Sequence, residues 1–235
     1  MTLREKYGEW GIILGATEGV GKAFAEKIAS EGMSVVLVGR REEKLQELGK
    51  NISETYGVDH MVIRADFAQS DCTDKIFEAT KDLDMGFMSY VACFHTFGKL
   101  QDTPWEKHEQ MINVNVMTFL KCFYHYMGIF AKQDRGAVIN VSSLTAISSS
   151  PYNAQYGAGK SYIKKLTEAV AAECESTNVD VEVITLGTTI TPSLLSNLPG
   201  GPEGEAVMKA AMTPEACVEE AFDNLGKSLS VIAGE

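Results

Sequence analysis

The 235-residue sequence predicts one α/β domain built on a doubly wound, mostly parallel seven-stranded sheet with helices on both faces. Three observations carry that expectation. Short runs rich in Val and Ile recur along the chain, apolar on consecutive positions, as parallel strands covered on both faces are. Between them lie stretches with apolar residues at i, i+3 and i+4 and charges elsewhere, the pattern of helices that cross over between strands. No Pro- or Ser-rich linker interrupts the chain, and 45% apolar content is enough for one core spanning 1–235.

The first strand, GIILGA (11–16), runs directly into GATEGVG, whose Gly15, Gly19 and Gly21 open a helix that begins near Val20. Glycines at that point permit a tight turn and let backbone N–H groups at the helix N-terminus approach a pyrophosphate, where the macrodipole also favours negative charge. The position between a strand and a helix, at the start of a βαβ unit, makes this a Rossmann-like dinucleotide site with Gly15, Thr17, Glu18, Gly19, Val20 and Gly21 in its wall. The second strand, SVVLVG (34–39), ends in Gly39, Arg40 and Arg41, where an NAD-binding chain places an acidic residue for the ribose hydroxyls. Two guanidiniums there suit the 2′-phosphate of NADP, through fork-like charge-assisted hydrogen bonds. The bland alternative is that both, with Lys44, begin the solvated face of the helix EEKLQELGKNISETYG.

The third strand, MVIRAD (61–66), closes on Asp66, placed to accept from an adenine amino group, with Phe67 beside it. The fourth, FMSYVAC (87–93), brings Ala92 to the same edge. The fifth, AVINVS (137–142), leads to Ser143 and a loop, SLTAISSSPYNAQ, before the helix YGAGKSYIKKLTEAVAAE. The sixth, VEVITLG (181–187), precedes Thr189 and Thr191 and a segment rich in Leu, Met, Gly and Pro, read as a substrate lid around 188–212. The seventh is LSVIAG (229–234). Carboxyl ends of such strands carry the ligand site.

Tyr156 follows Ser143 by thirteen positions, and Lys160 follows by four more, so Tyr156 and Lys160 share a helix face. A phenol acting as a base near neutral pH must become more acidic by roughly three orders of magnitude, or ~4 kcal/mol. A unit charge ~4 Å away at an effective dielectric of 20 supplies about that much. Ser143 is expected to donate or accept a hydrogen bond to the substrate oxygen while Tyr156 exchanges its proton. Ser142 competes with Ser143, and the distance to Tyr156 selects the second. Tyr152, with Tyr156 four residues on instead of a lysine, is expected as a pocket wall.

The net charge of −11 argues against nucleic acid or an anionic membrane as partner. Five cysteines, odd in number and without a CxxC pair, fit reduced thiols packed in the core of a cytoplasmic protein. The N-terminus carries no apolar leader, and no run approaches the ~18 apolar residues of a membrane span. The four histidines show no ligand spacing, so no metal site is expected.

The Gly-rich turn at 15–21, Ser143, the YxxxK of 156–160 and Asn115 in INVNVMTFLKCF together resemble the short-chain dehydrogenase/reductase family, from about Tyr7 to the end of the chain. The resemblance implies that Asn115 kinks its helix and holds a water linking Lys160 to solvent, with Asn113 as the nearby competitor. Three positions depart from the family pattern. Ala92-Cys93-Phe94-His95 replaces Asn-Asn-Ala-Gly, Leu186-Gly187 replaces Pro-Gly, and Leu14 in place of threonine precedes the first glycine.

The segments VACFHTFGKLQDTPWEKHEQMINVNV, SSPYNAQYGAGK and ITLGTTITPSLLSNLPGGP look closely like one group within the family, the bacterial NADP-dependent 7β-hydroxysteroid dehydrogenases of gut bile-acid metabolism. That likeness implies a steroid bile-acid substrate and a cytoplasmic homodimer or homotetramer. Such enzymes continue into a C-terminal tail beyond the point matching Glu235. Met208 and Met212, together with Phe94, His95 and Tyr152, are candidate walls of an apolar pocket. Two other readings use the same motifs: a reductase of 3-oxoacyl thioesters, and a non-catalytic NADPH sensor. Only Lys209 is basic between Thr188 and Met212, whereas a phosphopantetheine arm calls for basic residues at the entrance.

Overall fold

A computed structural model describes residues 1–196, 198 and 200–234. Asn197 and Pro199 of the expected lid, and Glu235 at the end of the expected domain, lie outside the described residues. Seven strands form one all-parallel sheet: β1 (Trp10–Leu14), β2 (Ser34–Gly39), β3 (His60–Arg64), β4 (Met85–Tyr90), β5 (Gly136–Ser143), β6 (Val179–Leu186) and β7 (Ser230–Ile232). Their order is β3-β2-β1-β4-β5-β6-β7, so the winding reverses between β1 and β4. A crevice opens at that reversal, past the carboxyl ends of the strands.

Each predicted strand is present; β2 matches its run, and the ends of the other six shift by one to three residues. β1 ends at Leu14 because Gly15 turns out of the sheet with φ +104°. β4 ends at Tyr90, and the amides of both Val91 and Ala92 then bond to the single carbonyl of Leu14, which ends the regular pairing of the two strands there. Val and Ile of β1, β2 and β5 are buried on alternate faces in two apolar clusters, one on each side of the sheet. On one side α2 (Gly19–Ser30) packs Phe24 against Phe87 and Phe222, the last on α10 (Pro214–Asn224), with ring centroids 5.5–6.5 Å apart. α3 (Glu42–Tyr56) covers β2 and β3 on the same side, and α4 (Cys72–Thr80) packs Cys72 and Ile76 on the other.

Asn113–Thr118 forms a π-helical segment that joins α5 (Trp105–Ile112) to α6 (Phe119–Gln133), so the long helix predicted around Asn115 is irregular at that residue. π segments inside α-helices recur at functional sites. α7 (Ala154–Glu173) crosses back to β6. Among the described residues, no helix is long and apolar enough to cross a membrane.

Two features went unpredicted. Thr2 and Glu5 form a capping box that starts α1 (Leu3–Tyr7), and this helix seats the Tyr7 hydroxyl 2.5 Å from Asp180. Glu182, in the middle of β6, is fully buried, and neither of its carboxylate oxygens has a partner among the described residues. Burial raises its pKa to about 8.

Candidate active site

The crevice at the reversal is a cavity of about 620 Å³. Its dinucleotide end is the turn between β1 and α2. A Cβ on Gly21 would stand 2.0 Å from the Gly15 carbonyl oxygen, and one on Gly15 would stand 2.6 Å from the Ala92 amide nitrogen. Gly19 has φ +56°, and a Cβ there would stand 3.0 Å from Thr191. Bare backbone therefore closes the turn and brings the N-terminus of α2 to the cavity, a geometry that fits a pyrophosphate. Gly15, Thr17, Glu18, Gly19, Val20, Arg40, Arg41, Asp66, Phe67, Ala92, Thr189 and Thr191 all line it. Gly21 does not, because it is spent on close packing under the turn.

The two arginines after β2 differ. Arg41 is ion-paired to Glu18 at 2.9 Å, and Lys44 reaches the same carboxylate at 3.4 Å. The Arg41 hydrogen bond, outweighing some desolvation, holds the Glu18 carboxyl below the usual carboxylate range. Arg40 has no ion pair among the described residues and lies exposed at the cavity wall. It is the free guanidinium of the pair. Asp66 accepts a hydrogen bond from the Ala68 amide at 3.1 Å with one carboxylate oxygen, so it is both a turn-former and a cavity residue.

At the other end Ser143, Tyr156 and Lys160 meet. Ser143 closes β5, whereas Tyr156 and Lys160 lie one turn apart on α7 and all three line the cavity. Ser142 points elsewhere: its hydroxyl donates to the Lys160 carbonyl at 2.9 Å and ties the strand to the helix. The Lys160 ammonium, only 2% exposed, donates to the Val141 carbonyl at 2.8 Å and stands 5.8 Å from the centre of the Tyr156 ring. Burial pushes the ammonium below its ordinary value.

The phenol differs from the sequence expectation. Burial, with the Cys93 thiol beside it, pushes the Tyr156 phenol above the ordinary phenolic value, and the hydrogen bond from Ser143 offsets only part of this. Lys160 alone does not outweigh the desolvation.

Asn115 is 1% exposed and stands behind the cavity instead of lining it. Its side chain donates to the Phe94 carbonyl at 2.7 Å and accepts from the Phe94 amide at 2.9 Å, holding the segment after β4 by both backbone groups. Both bonds go to backbone groups, so the replacement of Asn-Asn-Ala-Gly by Ala92-Cys93-Phe94-His95 leaves them in place. Asn113 turns to the Ala68 carbonyl at 3.5 Å.

Phe94 and His95 line the cavity as predicted, with the His95 ring centred 5.5 Å from that of Tyr156. Three wall expectations fail. Tyr152 is 59% exposed outside the cavity at φ +64°, and its place in the lining is taken by Asn153. Met208 lies in α9 (Pro202–Ala210), but Met212 lies past its end, paired to Thr189 as a strand-like bridge, and neither lines the cavity. That bridge ties the two ends of the 188–212 segment together, with α8 (Pro192–Ser196) between them. Pro192 and Leu194 of α8 reach the cavity.

Cys93, expected in the core, is exposed in the cavity mouth. Desolvation raises its thiol, but a hydrogen bond from His95 and the Lys160 charge outweigh this and bring it below the usual thiol value. The other four cysteines are buried or half-buried. Sequence reading also missed Thr145, whose position in SLTAISSS carries no motif. Among the described residues, no three His, Cys, Asp or Glu side chains are grouped to hold a metal ion.

Comparison with known proteins points the same way. The family model described as short chain dehydrogenase matches residues 9–198. The 7beta-hydroxysteroid dehydrogenase of Mediterraneibacter gnavus is 76% identical over 235 residues, covering 100% of this chain and 89% of the relative. The 7beta-hydroxysteroid dehydrogenase of Clostridium sardiniense is 48% identical over 235 residues, again covering 100% and 89%. A solved structure described as "Structural and biochemical insights into 7beta-hydroxysteroid dehydrogenase stereoselectivity" superposes with a TM-score of 0.98 at 76% identity, covering 100% of this chain and 91% of that one.

Proposed function

The chain belongs to the short chain dehydrogenase family, and from that premise we propose that it is an NADP-dependent oxidoreductase interconverting a 7β-hydroxy bile acid, of the ursodeoxycholate type, with its 7-oxo form. The observation that carries the reading is the meeting of Ser143, Tyr156 and Lys160 in one cavity with a glycine turn shaped for a dinucleotide, in a chain 76% identical to a 7beta-hydroxysteroid dehydrogenase. When bound, NADP supplies the hydride acceptor and, oxidised, a positive ring. Gly15, Thr17, Glu18, Gly19 and Val20 hold its pyrophosphate end, Asp66, Phe67 and Ala92 its adenosine side, and Thr189 and Thr191 its far side. Tyr156 takes the proton of the steroid hydroxyl, Ser143 positions the same oxygen, and Lys160 keeps a cation beneath the phenol. Asn115 fixes the segment of Phe94 from behind.

The apolar side chains Phe94, Phe97, Leu144 and Leu194 line the substrate end and suit a steroid better than a thioester arm. The non-catalytic alternative loses its motive, since Asn115 keeps the segment after β4 bonded despite the changed sequence. Reaction of the 7-oxo steroid with NADPH deuterated on the transferred position tests the reading: a 7β-hydroxy product carrying deuterium at carbon 7 is expected. Cofactor oxidation without labelled product would refute it.

Arg40 is the side chain proposed to read the 2′-phosphate, with Arg41 held by Glu18 alongside. Gly39→Asp places a carboxylate among these cations, and its Cβ meets the Thr17 hydroxyl 2.7 Å away, so Thr17 must rotate. This variant is expected to lose NADP affinity relative to NAD by roughly tenfold or more, as a charged hydrogen bond is lost. An unchanged ratio in cofactor titrations would place phosphate recognition elsewhere. The homo-oligomer, dimer or tetramer, is supported by the exposed apolar side chains Trp105, Met117 and Tyr124 along α5–α6, and the reduced thiols support a cytoplasmic setting.

A further inference from the structure

Ser143 and Thr145 are joined by two hydrogen bonds across one short turn. Ser143 ends β5 and caps a single 3₁₀ turn over Leu144–Ala146. Its Oγ accepts from the Thr145 backbone amide at 3.3 Å and also from the Thr145 hydroxyl at 3.1 Å. A serine hydroxyl has two acceptor sites and one proton. With both acceptor sites engaged, the proton is all that Ser143 has left to offer into the cavity, to the Tyr156 phenol or to a substrate oxygen seated beside it.

The turn that fixes this arrangement is clamped by α7. The Ser161 hydroxyl donates to the Ala146 carbonyl at 2.9 Å, and a Cβ on Gly157 would stand 3.0 Å from the Thr145 carbonyl oxygen. Thr145 is half-buried and lines the same cavity as Ser143 and Tyr156. The amide bond alone suffices to cap the turn, so the hydroxyl bond is an addition that capping does not explain.

We infer that Thr145 is a positioning residue that makes Ser143 an obligate hydrogen-bond donor to the oxygen on the reacting carbon. The inference rests on the proposed function for its substrate. In the ketone direction the Ser143 O–H is aimed at the carbonyl oxygen, where charge develops as hydride arrives. In the alcohol direction the steroid oxygen accepts from Ser143 and can give its own proton only to Tyr156. The choice between donor and acceptor, open from sequence, closes on donor.

Thr145→Val keeps the shape and the backbone amide and removes only the hydroxyl. It is expected to lower kcat roughly tenfold, the worth of one aligned hydrogen bond at about 1.4 kcal/mol. The KM for the 7β-hydroxy steroid and the NADP affinity stay unchanged, and the isotope effect from deuterium on carbon 7 rises as hydride transfer becomes slower. Thr145→Ser, which restores the hydroxyl, is expected to recover most of kcat. A wild-type kcat in Thr145→Val, or a Thr145→Ser variant as impaired as Thr145→Val, would overturn the assignment. Thr145→Ala takes the same measurements should the valine variant fail to fold. If the wild-type protein leaves 7β-hydroxy steroids untouched yet reduces another ketone, the substrate reading fails, and the same variant series on that ketone still decides the role of Thr145.

Discussion

Tyr156→Phe is expected to lose roughly 10²–10⁴-fold in turnover, the usual range for a positioned acid–base group, while its affinity for NADP stays near that of the wild type. The variant keeps the ring in the cavity wall beside His95 and takes away only the hydroxyl. Neither partner of the triad is set to replace it: Ser143 has its acceptor sites occupied by Thr145, and the Lys160 ammonium, bonded to the Val141 carbonyl, has no lone pair with which to take a proton. Because burial pushes the phenol above its ordinary value in the protein itself, alcohol oxidation is expected to rise with pH through the neutral range. Fluorescence titration of NADPH binding separates the two parameters. A phenylalanine variant with near-normal turnover would remove the proton-transfer role assigned here.

Glu182→Gln is expected to stabilise the protein at alkaline pH. The Glu182 carboxyl is fully buried without a partner among the described residues, and its folded pKa is raised to about 8 against the ordinary 4.5. Between those values the native state binds a proton that the unfolded chain has released, so native stability falls as pH rises through this window and levels off above it. The loss accumulates to on the order of 4 kcal/mol. Glutamine cannot ionise, so it escapes the loss. Melting temperatures of the two proteins are expected to coincide near pH 5, and the variant to melt roughly 8 °C higher at pH 9. Curves that run parallel across the whole range would mean that Glu182 titrates normally, through solvent access that the fold does not provide.

The sheet was legible in the sequence because parallel strands buried on both faces leave long Val and Ile runs, and β2 (Ser34–Gly39) matches its run residue for residue. Strand ends were less legible. Where β1 and β4 leave the sheet depends on Gly15 and on two amides sharing the Leu14 carbonyl, which are tertiary facts. The triad of Ser143, Tyr156 and Lys160 was readable because one loop and one helical turn set its spacing.

Residues whose roles depend on packing were not. Glu182 looks like the polar half of an alternating strand until both faces are known to be covered. Met208 and Met212 share a helical spacing, yet the helix stops at Ala210 and Met212 pairs with Thr189. Cys93 follows a run that reads as core, but β4 stops at Tyr90 and the residue falls in the segment beyond it, where it is exposed. Thr145 has no motif because its effect is the direction of one hydroxyl bond across a short turn.

The most direct measurement is the initial rate of NADP reduction, followed at the absorbance band of the reduced nicotinamide, with matched 7α- and 7β-hydroxy epimers of one bile acid offered separately to the wild-type protein. Turnover of the 7β epimer, with the 7α epimer left essentially untouched, is the expected result. Equal rates on the two epimers, or no turnover of either while NADP remains bound, would contradict the assignment.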